Sequence, residues 1–190
     1  MRLIADSLKA NGHDVHTPTL PGHGSTAHEL EIVGWSDWMA AVATWPADVV
    51  VGQSMGAALA LARAVAEPHS LLGVVAINPP QPDPDALEGL EWMKERGHDH
   101  VDAPPLADGE LGYSSLPIVA LIQMAKGVLS IELGAIAVPV LLVTSALDEV
   151  VDPATADGLA EVLAAKVAVT RLTLPNSGHV ASLGPAQDLL

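Results

Sequence analysis

The sequence predicts an α/β domain in which a mostly parallel β-sheet carries helices on both faces. Two observations support this fold class. Short apolar runs that suit buried strands alternate along the chain with longer segments of helical spacing. The strand segments are nearly continuous runs of aliphatic residues, as expected where both faces of a parallel sheet are covered. With 190 residues, 49% of them hydrophobic, the chain is long enough for one sizeable core, and we assign residues 1–190 to a single domain.

The N-terminal part of the chain predicts two helices with a strand between them. Residues 2–12 carry apolar side chains near helical spacing and end in Asn-Gly, which is typical of a helix C-terminus. Residues 13–20 alternate and include β-branched side chains, so they predict a strand. A Gly/Pro loop follows, and residues 35–45 predict a short helix with Ser36 as its N-cap.

The rest of the chain contains the strongest strand and helix patterns. We expect strands at 48–52, 71–78, 138–146 and 166–174, and helices at 55–67 and 154–165.

Residues 79–135 interrupt this alternation. They are dense in Pro, Asp and Gly, with helix-like segments at 85–95 and 118–133. We expect this insertion to be a small cap at the C-terminal edge of the sheet, where ligands bind in α/β folds. A surface excursion without a binding role is the alternative, and the apolar residues between 116 and 124 favour the cap.

The composition excludes several classes of function. Because the chain has no Cys, it has no disulfide, no thiolate metal site and no cysteine nucleophile. A net charge of −15 argues against nucleic acid, anionic membranes and polyanionic substrates, and favours a small neutral substrate. No apolar run reaches the roughly 18–20 uncharged residues of a transmembrane helix. The N-terminal residues lack the features of a signal peptide, so we expect a cytoplasmic protein.

Metal binding and cofactors are also not expected. His98 and His100 lie near Asp99 and Asp102, but no paired ligands at helical spacing occur elsewhere to complete a metal site.

Ser54 is the candidate nucleophile. It is central in Gly52-Gln53-Ser54-Met55-Gly56, a G-x-S-x-G pattern between a predicted strand and a predicted helix. The glycines allow close approach of the backbone around a strained turn, which would present the Ser54 hydroxyl at the helix N-terminus. Free amides at that position favour a developing anion. A plain turn serine needs neither glycine, so the pattern favours catalysis.

A base and an acid follow Ser54 in the order that this arrangement requires. His179 lies in a loop after the last predicted strand, where it can serve as the base. Asp148 lies at the tip of the loop after 138–146, with Glu149 and Asp152 as competing acids. Because the carboxyl ends of parallel strands meet at one edge of a sheet, we expect the serine, the acid and the histidine to converge.

Several stretches make the chain resemble the bacterial carboxylesterases and monoacylglycerol lipases of the α/β-hydrolase superfamily. They are LPGHG at 20–24, GWSDWMAAV at 34–42, GQSMGAALAL at 52–61, ALDEVVDP at 146–153 and NSGHVASL at 176–183. The similarity covers nearly the whole chain and is weakest in the insertion.

This resemblance implies the α/β-hydrolase fold and a role for each matching residue. Ser54 would be the nucleophile, Asp148 the orienting acid and His179 the general base, while the Met55 amide would donate to the oxyanion. It implies hydrolysis of short- to medium-chain esters or monoacylglycerols through an acyl-enzyme, without a cofactor. Residues 79–135 would cap the acyl pocket.

The chain also departs from the family pattern. A strand and a His-Gly-aromatic loop, which supplies the second oxyanion amide, precede in this family the helix that here is 2–12. The absent strand would lie between those predicted at 13–20 and 48–52, and the closing helix stops early, at 184–190. We therefore expect this chain to be part of a longer protein, with weak or no activity of its own. The alternatives are a catalytically silent binding protein with this fold, or a serine hydrolase of other acyl or carbon–carbon bonds.

Overall fold

The structure is a computed structural model that describes residues 1–103 and 112–183. Its helices are α1 (Arg2–Ala10), α2 (Ala27–Leu30), α3 (Trp35–Ala43), α4 (Met55–Ala66), α5 (Pro84–Glu95), α6 (Ile118–Leu129) and α7 (Thr155–Ala164). Its strands are β1 (Val49–Gln53), β2 (Gly73–Ile77), β3 (His100–Asp102), β4 (Ser115–Pro117), β5 (Val140–Ser145) and β6 (Val169–Leu174). Short 3-10 helices lie at Leu133–Ala135 and Ala181–Leu183.

The described residues divide into two units. One contains residues 1–17, 45–81 and the described residues from 131 onward. Its four-stranded sheet has the order β1-β2-β5-β6, and every neighbouring pair is parallel. All four strands therefore end at the same edge, and the predicted parallel α/β sheet is confirmed.

Helices cover both faces of this sheet because successive strand residues point to opposite sides. On one face, Val74 and Ala76 of β2 belong to a core that includes the small and aliphatic side chains of α4 and α7. On the other face, Ile77 belongs to a second core that includes Ala181, with Ile4 of α1 packed against it. The core is aliphatic throughout the unit, as a chain without Phe requires.

The second unit contains residues 18–44 and the described part of 82–130. In it, α5 packs on α6, and β3 pairs with β4 in antiparallel register. Gly127 of α6 lies so close to the ring of Trp35 that a β-carbon there would overlap the indole. That residues 79–135 form a cap over an acyl pocket remains a prediction from the sequence.

The predicted strand at 13–20 is wrong, because these residues form no strand. An alternating pattern becomes a strand only where another strand satisfies its backbone groups. Among the described residues β1 is an edge strand, paired only with β2, and no strand lies beside 13–20. His16 instead stacks on Trp45, with 4.6 Å between ring centroids.

The predicted N-cap of α3 is also wrong. The helix begins at Trp35, so Ser36 lies inside its first turn and Gly34 occupies the cap position. The Gly34 amide donates to a carboxylate oxygen of Asp37 at 2.9 Å, which satisfies the first free backbone donor.

The other predicted elements are confirmed to within a few residues at their ends. They are the helices expected at 2–12, 35–45, 55–67, 85–95, 118–133 and 154–165 and the strands expected at 48–52, 71–78, 138–146 and 166–174. The closing segment at 184–190 lies outside the described residues. Within 1–103 and 112–183, no helix combines the length and apolar character needed to cross a membrane.

Candidate active site

Ser54 occupies the sharp turn between β1 and α4. Its backbone has φ 54° and ψ −126°, a conformation that side-chain-bearing residues rarely adopt. The Ser54 amide donates to the Ile77 carbonyl at 2.9 Å, which extends the β1–β2 ladder into the turn. Gly52 faces the Gly56 carbonyl so closely that any β-carbon would overlap it. The turn is therefore held by the sheet and requires a glycine at position 52.

Asp148 and His179 reach the same edge from two other strands. Asp148 lies in the loop after β5, and its Oδ1 accepts hydrogen bonds from the amides of Val150 and Val151, both at 2.9 Å. His179 lies in the loop after β6, which is joined to the acid loop by the Leu147 amide donating to the Ser177 carbonyl at 3.0 Å. Backbone amides thus fix the Asp148 carboxylate directly, and a backbone hydrogen bond ties the loop that carries His179 to the acid loop.

The three side chains form one continuous hydrogen-bonded chain. His179 Nε2 lies 2.7 Å from Ser54 Oγ. His179 Nδ1 lies 2.9 Å from each carboxylate oxygen of Asp148. The residues are separated by up to 125 positions in sequence, so only the fold brings them together.

Burial and hydrogen bonding define the proton positions in this chain. The exposed fraction is 2% for the Asp148 side chain and 12% for that of His179. A carboxylate only accepts, so the proton between the two groups belongs to His179 Nδ1. Nε2 of the neutral ring is then an acceptor and takes the hydrogen bond of the Ser54 hydroxyl. This arrangement can remove the serine proton when Oγ attacks a carbonyl carbon.

The competing acids have other surroundings. Glu149 is exposed, and its carboxylate lies near Gly178. Asp152 accepts the Ala154 amide at 2.9 Å and shapes the turn before α7. Of the three acids considered from the sequence, only Asp148 hydrogen-bonds to His179.

The Met55 amide lies beside Ser54 at the first position of α4. Among the residues that the structure describes, this amide has no hydrogen-bond acceptor. It also lies at the helix end that carries the positive end of the dipole, so it can donate to a developing oxyanion.

The acidic and histidine-rich segment at 98–102 forms separate ion pairs and hydrogen bonds with its neighbours. Asp99 accepts a hydrogen bond from Lys94 at 2.6 Å, and this contact lowers the pKa of the Asp99 carboxyl. His100 faces Glu31 at 3.5 Å. Within 1–103 and 112–183, no group of His, Asp or Glu side chains converges as a metal site would require.

A family profile described as the alpha/beta hydrolase family matches residues 1–189. The chain belongs to this family. The hydrolase is 29% identical over 208 aligned positions to a thermostable monoacylglycerol lipase of Bacillus sp. (strain H-257). The alignment covers 100% of this chain and 81% of the relative.

Solved structures give the same result. A structure from work on LipS and LipT, two metagenome-derived lipolytic enzymes, matches the hydrolase with a TM-score of 0.85 and 27% identity over 99% of this chain and 82% of that one. A monoacylglycerol lipase of Paleococcus ferrophilus shares the fold, with a TM-score of 0.70 at 18% identity over 96% of this chain and 81% of that one. The chain is thus an α/β-hydrolase of the esterase and lipase type.

Sequence reasoning missed one polar residue at the site. Asn78 follows β2, is buried, and has φ 46°. Its amide group hydrogen-bonds to the loop that carries His179. The only sequence signal is an Asn directly after a buried strand, at the edge where Ser54, Asp148 and His179 also lie.

Proposed function

We propose that this hydrolase cleaves short- to medium-chain carboxylic esters or monoacylglycerols through a covalent acyl-enzyme on Ser54. The observation that carries the proposal is the hydrogen-bonded chain from Ser54 Oγ through His179 to Asp148. The thermostable monoacylglycerol lipase that resembles this chain supports the substrate class. The net charge of −15 supports a substrate without negative charge.

In the acylation step, Ser54 Oγ attacks the ester carbonyl carbon and His179 Nε2 takes the hydroxyl proton. Asp148 holds the ring in the required tautomer and stabilises the imidazolium that forms. The carbonyl oxygen becomes an oxyanion, which accepts a hydrogen bond from the Met55 amide. His179 then gives its proton to the leaving alcohol oxygen as the ester C–O bond breaks.

Deacylation uses the same groups in the same order. A water molecule attacks the acyl carbon while His179 Nε2 takes one of its protons. The tetrahedral intermediate collapses, the carboxylic acid leaves, and the proton returns from His179 to Ser54 Oγ. Each cycle consumes one water and leaves the protein unchanged.

Ser54→Ala provides the direct test. We expect Ser54→Ala to lower hydrolysis of p-nitrophenyl butyrate and of a monoacylglycerol from the rate of the wild-type chain to background, since a triad nucleophile contributes a factor on the order of 10⁴–10⁶ in kcat. A fluorophosphonate probe should label the wild-type chain at Ser54 and leave the variant unlabelled. Ser36→Ala, at an exposed serine of α3, is the matched control and should keep both activities.

The outcomes separate the remaining candidate functions. Turnover above background that is equal in wild type and Ser54→Ala would show that the acyl-enzyme proposal is wrong. A folded wild-type chain with neither labelling nor turnover would agree with the weak or absent activity expected for this chain, and also with a catalytically silent binding protein. Labelling with turnover of thioesters or amides but not of esters would retain the mechanism and replace the substrate class.

A further inference from the structure

Asn78 directly follows β2 and has a backbone conformation that few residues adopt. Its amide donates to the Val143 carbonyl at 2.9 Å, which continues the pairing of β2 with β5. Its φ of 46° lies in the left-handed region, where Asn is tolerated far better than branched or bulky residues. The side chain is therefore turned out of the strand direction while the backbone stays anchored to β5. Only 3% of the residue is exposed.

The Asn78 carboxamide joins two segments that are distant in sequence. Its Oδ1 accepts the Ser145 amide at 2.8 Å, at the end of β5. Its Nδ2 donates to Ser145 Oγ at 2.9 Å and to the main-chain carbonyl of His179 at 2.8 Å. Both amide hydrogens and the carbonyl oxygen are thus used. The side chain connects the loop that carries the histidine to the strand that leads into the acid loop.

The hydrogen-bond partners of Asn78 explain why its side chain is a carboxamide. The Ser145 amide can only donate and the His179 carbonyl can only accept, so the site needs one acceptor and one donor on a single short side chain. Asp would offer no donor to the His179 carbonyl. Leu would leave the buried amide and hydroxyl of Ser145 without a partner, and the His179 carbonyl would keep only the Ala181 amide. Such groups cost about 1–3 kcal/mol each when unpaired.

We propose that Asn78 is a positioning residue that fixes the backbone of His179 and thereby holds the imidazole between Asp148 and Ser54. The inference rests on the proposed function, since the value of the placement depends on His179 acting as the base. Asn78 does not reach the reacting atoms itself; its contact is with the main chain of His179. A displacement of about 1 Å in such a group can cost on the order of 10²-fold in rate.

Asn78→Gly tests the proposal because glycine keeps the left-handed backbone and removes only the carboxamide. Ser145→Ala is the matched control: it removes one partner of Nδ2 and leaves the bond to His179 in place. Val74→Ala, in the aliphatic core that includes α4 and α7, controls for lost stability. Steady-state hydrolysis of p-nitrophenyl butyrate gives kcat and KM, corrected for the folded fraction by circular dichroism.

We expect Asn78→Gly to lower kcat by roughly 10- to 100-fold with little change in KM. Ser145→Ala and Val74→Ala should stay within about threefold of wild type per folded molecule. Independently of turnover, the proton on His179 Nδ1 gives a downfield NMR resonance through its bond to Asp148, assigned with His179→Ala. That resonance should shift or vanish in Asn78→Gly and persist in both controls.

Failure of the proposed function and failure of the positioning role give different results. Turnover that persists in Ser54→Ala would overturn the proposed function, and the NMR signal would still decide whether Asn78 places the ring. A kcat for Asn78→Gly equal to that of Ser145→Ala would overturn the positioning role while leaving the function intact. An unchanged Nδ1 resonance in Asn78→Gly would overturn it as well.

Discussion

At the residue scale, the identity of the acid determines the tautomer of the base. Both carboxylate oxygens of Asp148 lie 2.9 Å from His179 Nδ1, and both can only accept. In Asp148→Asn, the substituted amide would present a donor to this nitrogen whenever its NH₂ group faced it. The ring would then carry its proton on Nε2 and could not accept the proton of Ser54.

We therefore expect Asp148→Asn to lower kcat by about 10⁴-fold with only a small change in stability. The measurement is ester hydrolysis at neutral pH, with thermal unfolding as the check on folding. Glu149→Gln and Asp152→Asn remove the same charge from the same loop without touching His179, and should stay within a few-fold of wild type. A loss shared equally by all three variants would show that loop charge, and not the tautomer, controls the activity.

The site residues also show how much of the candidate site could be predicted from the sequence. The convergence of Ser54, Asp148 and His179 was predictable because each follows a recognisable strand, and parallel strands bring their ends to one edge. Asn78 was not, because its role depends on bonds to residues 67 and 101 positions away and on a left-handed backbone. Neither property has a local pattern. Gly52 was expected to permit close approach, and the structure gives the reason: the Gly56 carbonyl lies against it.

At the element scale, the two glycines of the β1–α4 turn are not equivalent. A β-carbon at Gly52 would overlap the Gly56 carbonyl and lie 2.6 Å from the Ala57 amide nitrogen, so the first turn of α4 would have to move. A β-carbon at Gly56 meets no described atom within 4 Å, and its backbone is not left-handed. The sequence pattern treats both positions alike because it cannot show which one faces backbone.

Gly52→Ala should therefore destabilise the fold by about 1–3 kcal/mol or more and abolish fluorophosphonate labelling, since overpacking displaces the start of α4 and the turn that holds Ser54. Gly56→Ala should keep labelling and leave stability unchanged or slightly higher, because Ala is the better helix former. Urea unfolding midpoints and labelling rates measure both effects. Equal losses in the two variants would contradict the asymmetry of the turn.

The segment 13–20, which was predicted to be a strand and forms none, also shows an effect at the scale of elements. Its residues have the alternation and branching of a strand, and α1 before it forms as expected. Strand formation depends on a neighbour as well as on the pattern, whereas helices such as α1 and α4 satisfy their own backbone groups. This difference explains why the predicted helices formed and one predicted strand did not.

At the scale of the whole molecule, charge is the property that most constrains the substrate. Asp and Glu outnumber Lys and Arg by 23 to 8, giving a net charge of −15. A field of this sign lowers the local concentration of anions and leaves neutral molecules unaffected. It acts over a Debye length of about 30 Å at 0.01 M salt and about 3 Å at 1 M salt, so salt separates the field from direct contacts.

Two esters of similar size and leaving group isolate this effect: p-nitrophenyl butyrate, which is neutral, and p-nitrophenyl hemisuccinate, which carries a carboxylate. We expect kcat/KM for the anionic ester to be lower at low salt by a factor on the order of 10, because repulsion reduces encounters with Ser54. Added NaCl should raise that value and leave the neutral ester nearly unchanged. If salt instead lowered kcat/KM for the anionic ester, local positive groups near Ser54 would outweigh the net charge, and the preference for neutral substrates would be wrong.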